Sequence, residues 1–128
     1  MSPRTWSTWI GRIVLALPVL FLAVDAVVKL LRIGPVMDSF KELGYPQNLA
    51  LGIGLLEAIC LLVLLIPRTS ILGAVLLTGY LGGAVATHVR IGNPLASHVL
   101  FPVYIGILIW IGMALIDPRI LRLVAGRV

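Results

Sequence analysis

Asp25 and Lys29 stand four residues apart in an otherwise apolar stretch, and Glu57 interrupts a second one, LGIGLLEAICLLVLLIP at 51–67. Four-residue spacing puts Asp25 and Lys29 on one face of a helix, where a carboxylate and an ammonium attract. Tyr80, His88, Arg90 and His98 follow along the chain. Brought together, these side chains could hold a polar headgroup and move protons to and from it. His88, His98 or Tyr80 would hydrogen-bond the ligand, with Glu57 as the relay. Lys29 and Arg90 would favour an anionic ligand. The chain has no nucleophile beside a base, no glycine-rich phosphate loop and no dinucleotide fingerprint, so catalysis by this chain alone is not indicated. His88 and His98 lack the HxxxH spacing of a helical ligand pair, and no metal site is expected. The lone Cys60 excludes an internal disulfide and any CxxC motif, and reads as a small packing residue.

Those polar groups must be carried by elements that suit the rest of the chain. Of 128 residues, 60% are hydrophobic and 12% charged, against about 45–50% and about 25% in soluble domains. Mean hydropathy is +1.12. Ten Lys and Arg with five Asp and Glu are too few to cover a water-soluble domain of this size. A bilayer is the solvent the composition fits. The net charge of +5 is spread between apolar runs rather than gathered on one face, so nucleic acid is not an expected partner.

The expected fold is all-α: a single domain over residues 1–128, a four-transmembrane-helix bundle with a short amphipathic interfacial helix between helices 1 and 2. The spans fall at about 10–31, 49–66, 71–89 and 99–116, each near the roughly 20 residues that cross a bilayer. Trp6 and Trp9 would anchor the first at the interface, and PRTS at 67–70 makes a tight link between the second and third. Four spans put both termini on one side. Arg4, Arg12, Arg68, Arg119, Arg122 and Arg127 lie on that side, against Lys29, Arg32, Lys41 and Arg90 opposite, which favours cytoplasmic termini. The apolar run of the first span passes any plausible cleavage site, so it is read as a retained helix rather than a signal peptide.

In the segment at 33–47, Val36, Met37, Phe40 and Leu43 recur at helical spacing between Asp38, Lys41 and Glu42; Pro35 opens it and Gly44 can close it. Such a helix would lie on the outer interface, capping the bundle, lining its mouth or simply connecting the spans. Glu57 falls about 12 Å from the outer end of its span, near mid-bilayer. There it must be protonated, paired or turned into a hydrated recess. An outward-opening polar funnel would accommodate it together with Asp25, Lys29, His88, Arg90 and His98. Gly79 and Gly83 form a GxxxG pair expected to pack helices within the bundle, with a homo-oligomer contact as the alternative; Gly54 would play a similar part beside Glu57. Tyr80, Ala84 and His88 share an adjoining face, and Pro102 is expected to bend the fourth span near its outer end.

The order DAVVKL, LGYP, GIGLLEAICLLVLLIPRT, LGAVLLTGYLGGAVATHVRIGNP and SHVLFPVYIG resembles the DoxX-like family of small bacterial four-helix membrane proteins over nearly the whole chain. The resemblance implies a bundle in the bacterial inner membrane with cytoplasmic termini. It also implies association with quinone-linked redox assemblies, including thiosulfate:quinone oxidoreductases, and with sulfur-handling or antioxidant enzymes. Shared architecture suggests distant kinship with the vitamin K epoxide reductase bundle, whose thiol chemistry does not carry over to a chain without a cysteine pair. The function expected is that of a non-catalytic accessory or structural component, with lipid and membrane or redox proteins as partners and quinone as the candidate cofactor. The alternatives are a quinone- or small-molecule-binding redox subunit proper and a transporter of protons or small solutes.

Overall fold

Ser2 opens the first helix of the computed structural model, which describes residues 2–127. Its hydroxyl accepts from the Thr5 amide, and Pro3 occupies the first turn, where no backbone donor is needed. The helix α1 then runs without a break through Pro3–Leu30. It begins seven residues before the expected span, and those residues carry the exposed Trp6. Arg12 lies over the Trp9 ring at 5.4 Å. Next come α2 (Gly34–Glu42), α3 (Leu49–Leu65), a 3-10 turn (Pro67–Thr69), α4 (Ser70–Arg90), a π turn (Leu95–Val99), α5 (Phe101–Ile116) and α6 (Pro118–Val124).

The breaks follow local chemistry. Ile66 and Asp117 each precede a proline and are extended, with ψ of 119° and 106°, because the proline ring excludes the helical conformation from the residue before it. Gly44 and Gly92 sit at φ +77° and +72°, where they close α2 and α4 with paired amide–carbonyl bonds. Arg32 makes the same cap for α1 at φ +53°, a conformation unfavourable for a residue with a Cβ. Pro102 lies in the first turn of α5, after the π turn, and so does not bend that helix as expected: in a first turn it breaks no hydrogen bond. Asp117 caps α6 by accepting from the Arg119 amide, and its carboxyl is held below the usual carboxylate range by the Arg119 side chain bonded to it. That stabilisation is present at neutral pH and lost as pH falls through the lowered value.

Three helical stretches, Pro3–Leu30, Pro67–Arg90 and Leu95–Ile116, are long and apolar enough to cross a membrane. The apolar α3 is shorter, at 17 residues. Helix α1 packs on α3 and α5, and α4 packs on the same two, closing a ring of four. Leu61 and Leu64 of α3, Leu77 of α4, and Ile109 and Met113 of α5 fill the end of this ring beside the termini, where Ile120 of α6 plugs it. Glycines set how closely the helices approach there. A Cβ on Gly73 would come within 2.2 Å of the Leu64 amide nitrogen, and one on Gly11 within 2.8 Å of Leu115 Cβ. Gly112 is equally tight against Leu15. Hydrogen bonds from Ser7 Oγ to the Leu115 carbonyl and from Trp110 Nε1 to Thr78 Oγ1, both 2.8 Å, pin α5 to its neighbours.

Gly73→Ala has only backbone to push against, so it should destabilise the folded state by at least about 2 kcal/mol. Gly83, where an added Cβ would meet nothing within 4 Å, should accept alanine with little change. Thermal unfolding of both variants in detergent checks the contrast, and equal melting temperatures would show that the α3–α4 contact is looser than described.

Candidate functional site

Glu57 is completely buried. Its place on α3 follows from Gly54, one turn earlier: a Cβ there would lie 2.9 Å from Lys29 Cβ and 3.3 Å from the Ala26 carbonyl, so glycine lets α1 lie against α3 at backbone distance. Gly54, expected to pack helices, is a point of close approach between α1 and α3. Across that contact Lys29 Nζ reaches Glu57 Oε2 at 2.9 Å, Asp25 Oδ2 at 2.5 Å and the Tyr80 hydroxyl at 2.8 Å. Tyr80 in turn donates to Glu57 Oε2 at 3.1 Å. Three helices therefore meet at one ammonium. Glu57 Oε1 is buried with no partner among the described residues.

Beside this cluster, the half of the ring away from the termini encloses a cavity of about 800 Å³. Its apolar walls include Phe21, Phe40, Phe101 and Ile105, and Asp25, Lys29 and Tyr80 form a polar strip along them. Exposed Leu56, Val75 and Leu76 belong to its border, which gives the recess an apolar opening. Helix α2 covers the end away from the termini. The expected apolar face of α2 is the one turned inward: Phe40 is buried, and Val36 and Leu43 line the cavity. The Tyr45 and Thr87 hydroxyls, 2.8 Å apart, tie the end of this cover to α4.

Over residues 13–112 the chain matches the profile of the DoxX-like family. The chain belongs to that family. With the apolar helices, the match makes it a membrane protein. No curated protein and no solved structure matches it.

Of the seven candidate ligand-binding side chains, this DoxX-like bundle brings four into direct contact and leaves the other three outside that cluster. Asp25, Lys29, Glu57 and Tyr80 form the cluster. His88 lines the cavity at the end away from the termini, with its Nδ1 2.6 Å from Asn93 Nδ2. His98 is exposed on the π turn, its Nδ1 bonded to Ser97 Oγ, and touches the site only through its ring, 5.9 Å from that of His88. Arg90 is not in the recess: its guanidinium donates to the Leu43 carbonyl and lies over the Tyr45 ring at 5.8 Å, so it completes the cap of α2. The funnel is accordingly mainly apolar, because its cations are occupied. Gly79 and Gly83 make no close helix contact within the chain; they border the cavity, and their missing side chains are part of its volume. The close contacts fall to Gly54 and to Gly11, Gly73 and Gly112, none of which belongs to a GxxxG pair. Nothing in the sequence singles out Tyr45 either, since only the fold places its hydroxyl beside Thr87. Among the described residues no group of three His, Cys, Asp or Glu could hold a metal ion.

Removing Lys29 alone leaves two carboxylates facing each other beside buried apolar surface. Lys29→Met should lower stability by about 3 kcal/mol or more, and adding Glu57→Gln should recover part of the loss. Reversible unfolding in mixed micelles checks this; a single variant as stable as the parent would mean that the ammonium is not what makes the buried carboxylate tolerable.

Proposed function

We propose that this DoxX-like chain is a four-span protein of the bacterial inner membrane, with both termini in the cytoplasm, that binds a quinone-type ring amphiphile as a non-catalytic component of a redox assembly. In this reading the shorter α3 also crosses the membrane, as the second of four spans. The excess of arginine beside the termini supports the orientation. The single observation that carries the binding function is a void of about 800 Å³ against a charged cluster. Its size lies within the roughly 300–1,000 Å³ of small-molecule sites, and an apolar, aromatic wall with a few fixed polar groups is their usual lining. A flat ring would fit between Phe40 and the edge-to-face pair of Phe21 and Phe101, with its oxygens toward Asp25, Lys29 and Tyr80. The apolar border at Leu56, Val75 and Leu76 suits a ligand that arrives from lipid. Electron transfer would be supplied by the ligand and its redox partner, while this chain positions the ring and keeps water from it.

One observation favours a second reading. The cluster is almost closed on itself, as a polar lock between α1, α3 and α4 would be. Such contacts contribute about 0.6–2 kcal/mol each between membrane helices. A lock, however, needs no cavity beside it. Transport through a single chain gains no support, since Leu64, Leu77, Ile109 and Met113 fill the other end of the ring.

Gly83→Leu separates the two main readings, because it adds a side chain into the cavity wall where there is space and leaves the cluster untouched. Purified protein titrated with short-tailed ubiquinone and menaquinone analogues should show saturable binding, lost in Gly83→Leu without a fall in melting temperature. No saturable binding by the parent protein, or equal binding by the variant, leaves the cluster a structural lock.

A further inference from the structure

The groups lining the cavity are unequally satisfied. An ammonium has three N–H bonds, and those of Lys29 go to Asp25 Oδ2, Glu57 Oε2 and the Tyr80 hydroxyl. The one O–H of Tyr80 goes to Glu57 Oε2. Thr87 donates to the Gly83 carbonyl at 2.8 Å, which leaves Tyr45 to donate to Thr87, and Ser39 donates to the Pro35 carbonyl at 3.0 Å. Every hydroxyl and ammonium donor on the cavity wall thus has an acceptor within the chain. The Cys60 thiol, also on the wall, is only a weak donor. His88 differs. With Nδ1 accepting from Asn93, its Nε2 keeps a proton, but it stands at the end away from the termini, two helical turns along α4 from Tyr80.

The unmatched groups beside Lys29 are acceptors. Asp25 takes Lys29 on Oδ2, and its Oδ1 receives no hydrogen bond among the described residues, although the side chain is one-third accessible and lines the cavity. Glu57 Oε1, fully buried, is unmatched as well. An acceptor brought up to this strip, such as a carbonyl or a carboxylate, would have to break an existing bond of Lys29 or Tyr80 to be recognised. An anion would in addition face two carboxylates against one ammonium, with Arg90 turned away onto Leu43. A cationic head would meet Lys29 beside its target oxygen. What fits without disturbing any bond is a neutral head that donates.

We infer that the cavity selects the hydrogen-bond-donating, reduced form of its ring ligand, a hydroquinone or related phenol, over the carbonyl-only oxidised quinone and over anions, with Asp25 Oδ1 accepting the ligand hydroxyl. This rests on the reading that the cavity binds ring amphiphiles, and it runs opposite to the preference for anions expected from Lys29 and Arg90. No bond-making or electron transfer is involved; the selection is by binding alone.

The test uses three ligands with one ring and tail under anaerobic conditions: a decyl-substituted benzoquinol, the corresponding quinone, and the dimethyl ether of the quinol, which has no donor. Calorimetric titration of the detergent-purified full chain should show the quinol binding at least about tenfold tighter than the other two, as expected for one hydrogen bond to a charged acceptor. Asp25→Asn should bring all three within about threefold of one another, since its amide presents a donor as well as an acceptor. Quinone or ether binding as tightly as quinol would overturn this inference and leave the cavity reading standing. No binding by any of the three would overturn both. Should Asp25→Asn fail to fold, the comparison of the three ligands on the parent protein decides alone.

Discussion

Burying Glu57 is the constraint on which the arrangement of the helices depends. A carboxylate taken out of water loses several kcal/mol of solvation, and only a nearby cation and hydrogen-bond donors offset it. Lys29 and Tyr80 meet that need, and doing so dictates geometry. The Lys29 ammonium reaches α3 only because Gly54 lets the backbones of α1 and α3 touch, and Tyr80 reaches the same oxygen only if α4 lies on the other side. One buried acid thereby sets the mutual position of three helices. The fourth, α5, is held differently, by the Gly11–Gly112 approach and by the hydrogen bonds of Ser7 and Trp110.

The two ends of the ring then part company. Between membrane helices there is no hydrophobic gain from association, since lipid is as apolar as the core, so close packing decides what holds. Beside the termini, Gly73 and the Gly11–Gly112 pair bring backbones together and leucine, isoleucine and methionine side chains interdigitate. At the other end α4 presents Gly79, Gly83 and Ala84, whose small side chains leave space. The helices cannot close on that space, because the Lys29 cluster fixes α1, α3 and α4 at their spacing. The cavity is a consequence of a lock placed beside a row of missing side chains.

Much of this is legible in the sequence, and the limit has a physical reason. Period and composition mark α1, α3, α4 and α5, and of the four residues whose spacing marks the apolar face of α2, Val36, Phe40 and Leu43 line the cavity while Met37 does not. The Asp25–Lys29 spacing and the isolation of Glu57 in apolar surroundings point to their meeting, since an intramembrane acid has few options. Glycine is harder. A GxxxG pair says that one face of a helix is small, not what stands opposite, so Gly79 and Gly83 read as packing residues where they border a void. Gly73 packs on Leu64, nine residues away across a proline turn, and Gly11 on a helix about a hundred residues on; neither partner is implied by local pattern. Arg90 misleads for the same reason, because the Leu43 carbonyl that it satisfies is exposed only by the way α2 ends.

The cover over the cavity is the least firmly held element. Phe40 is the one buried residue of α2; beside it and the half-buried Val36 and Leu43, the attachment of the helix is polar: Arg90 on the Leu43 carbonyl, Tyr45 on Thr87, and Gln47 on the Met37 carbonyl at 3.3 Å. The chain enters it through Arg32, held at a positive φ that favours glycine, and leaves it through Gly44. Lifting α2 would expose Phe40 and break these few hydrogen bonds, while the cluster and the packed end of the ring stayed intact. Local opening draws on such weakly buried elements first. The same division that leaves the bundle hollow at one end therefore makes that end the one whose cover moves at least cost, so access to the polar strip is decoupled from the ion pair that holds the helices together.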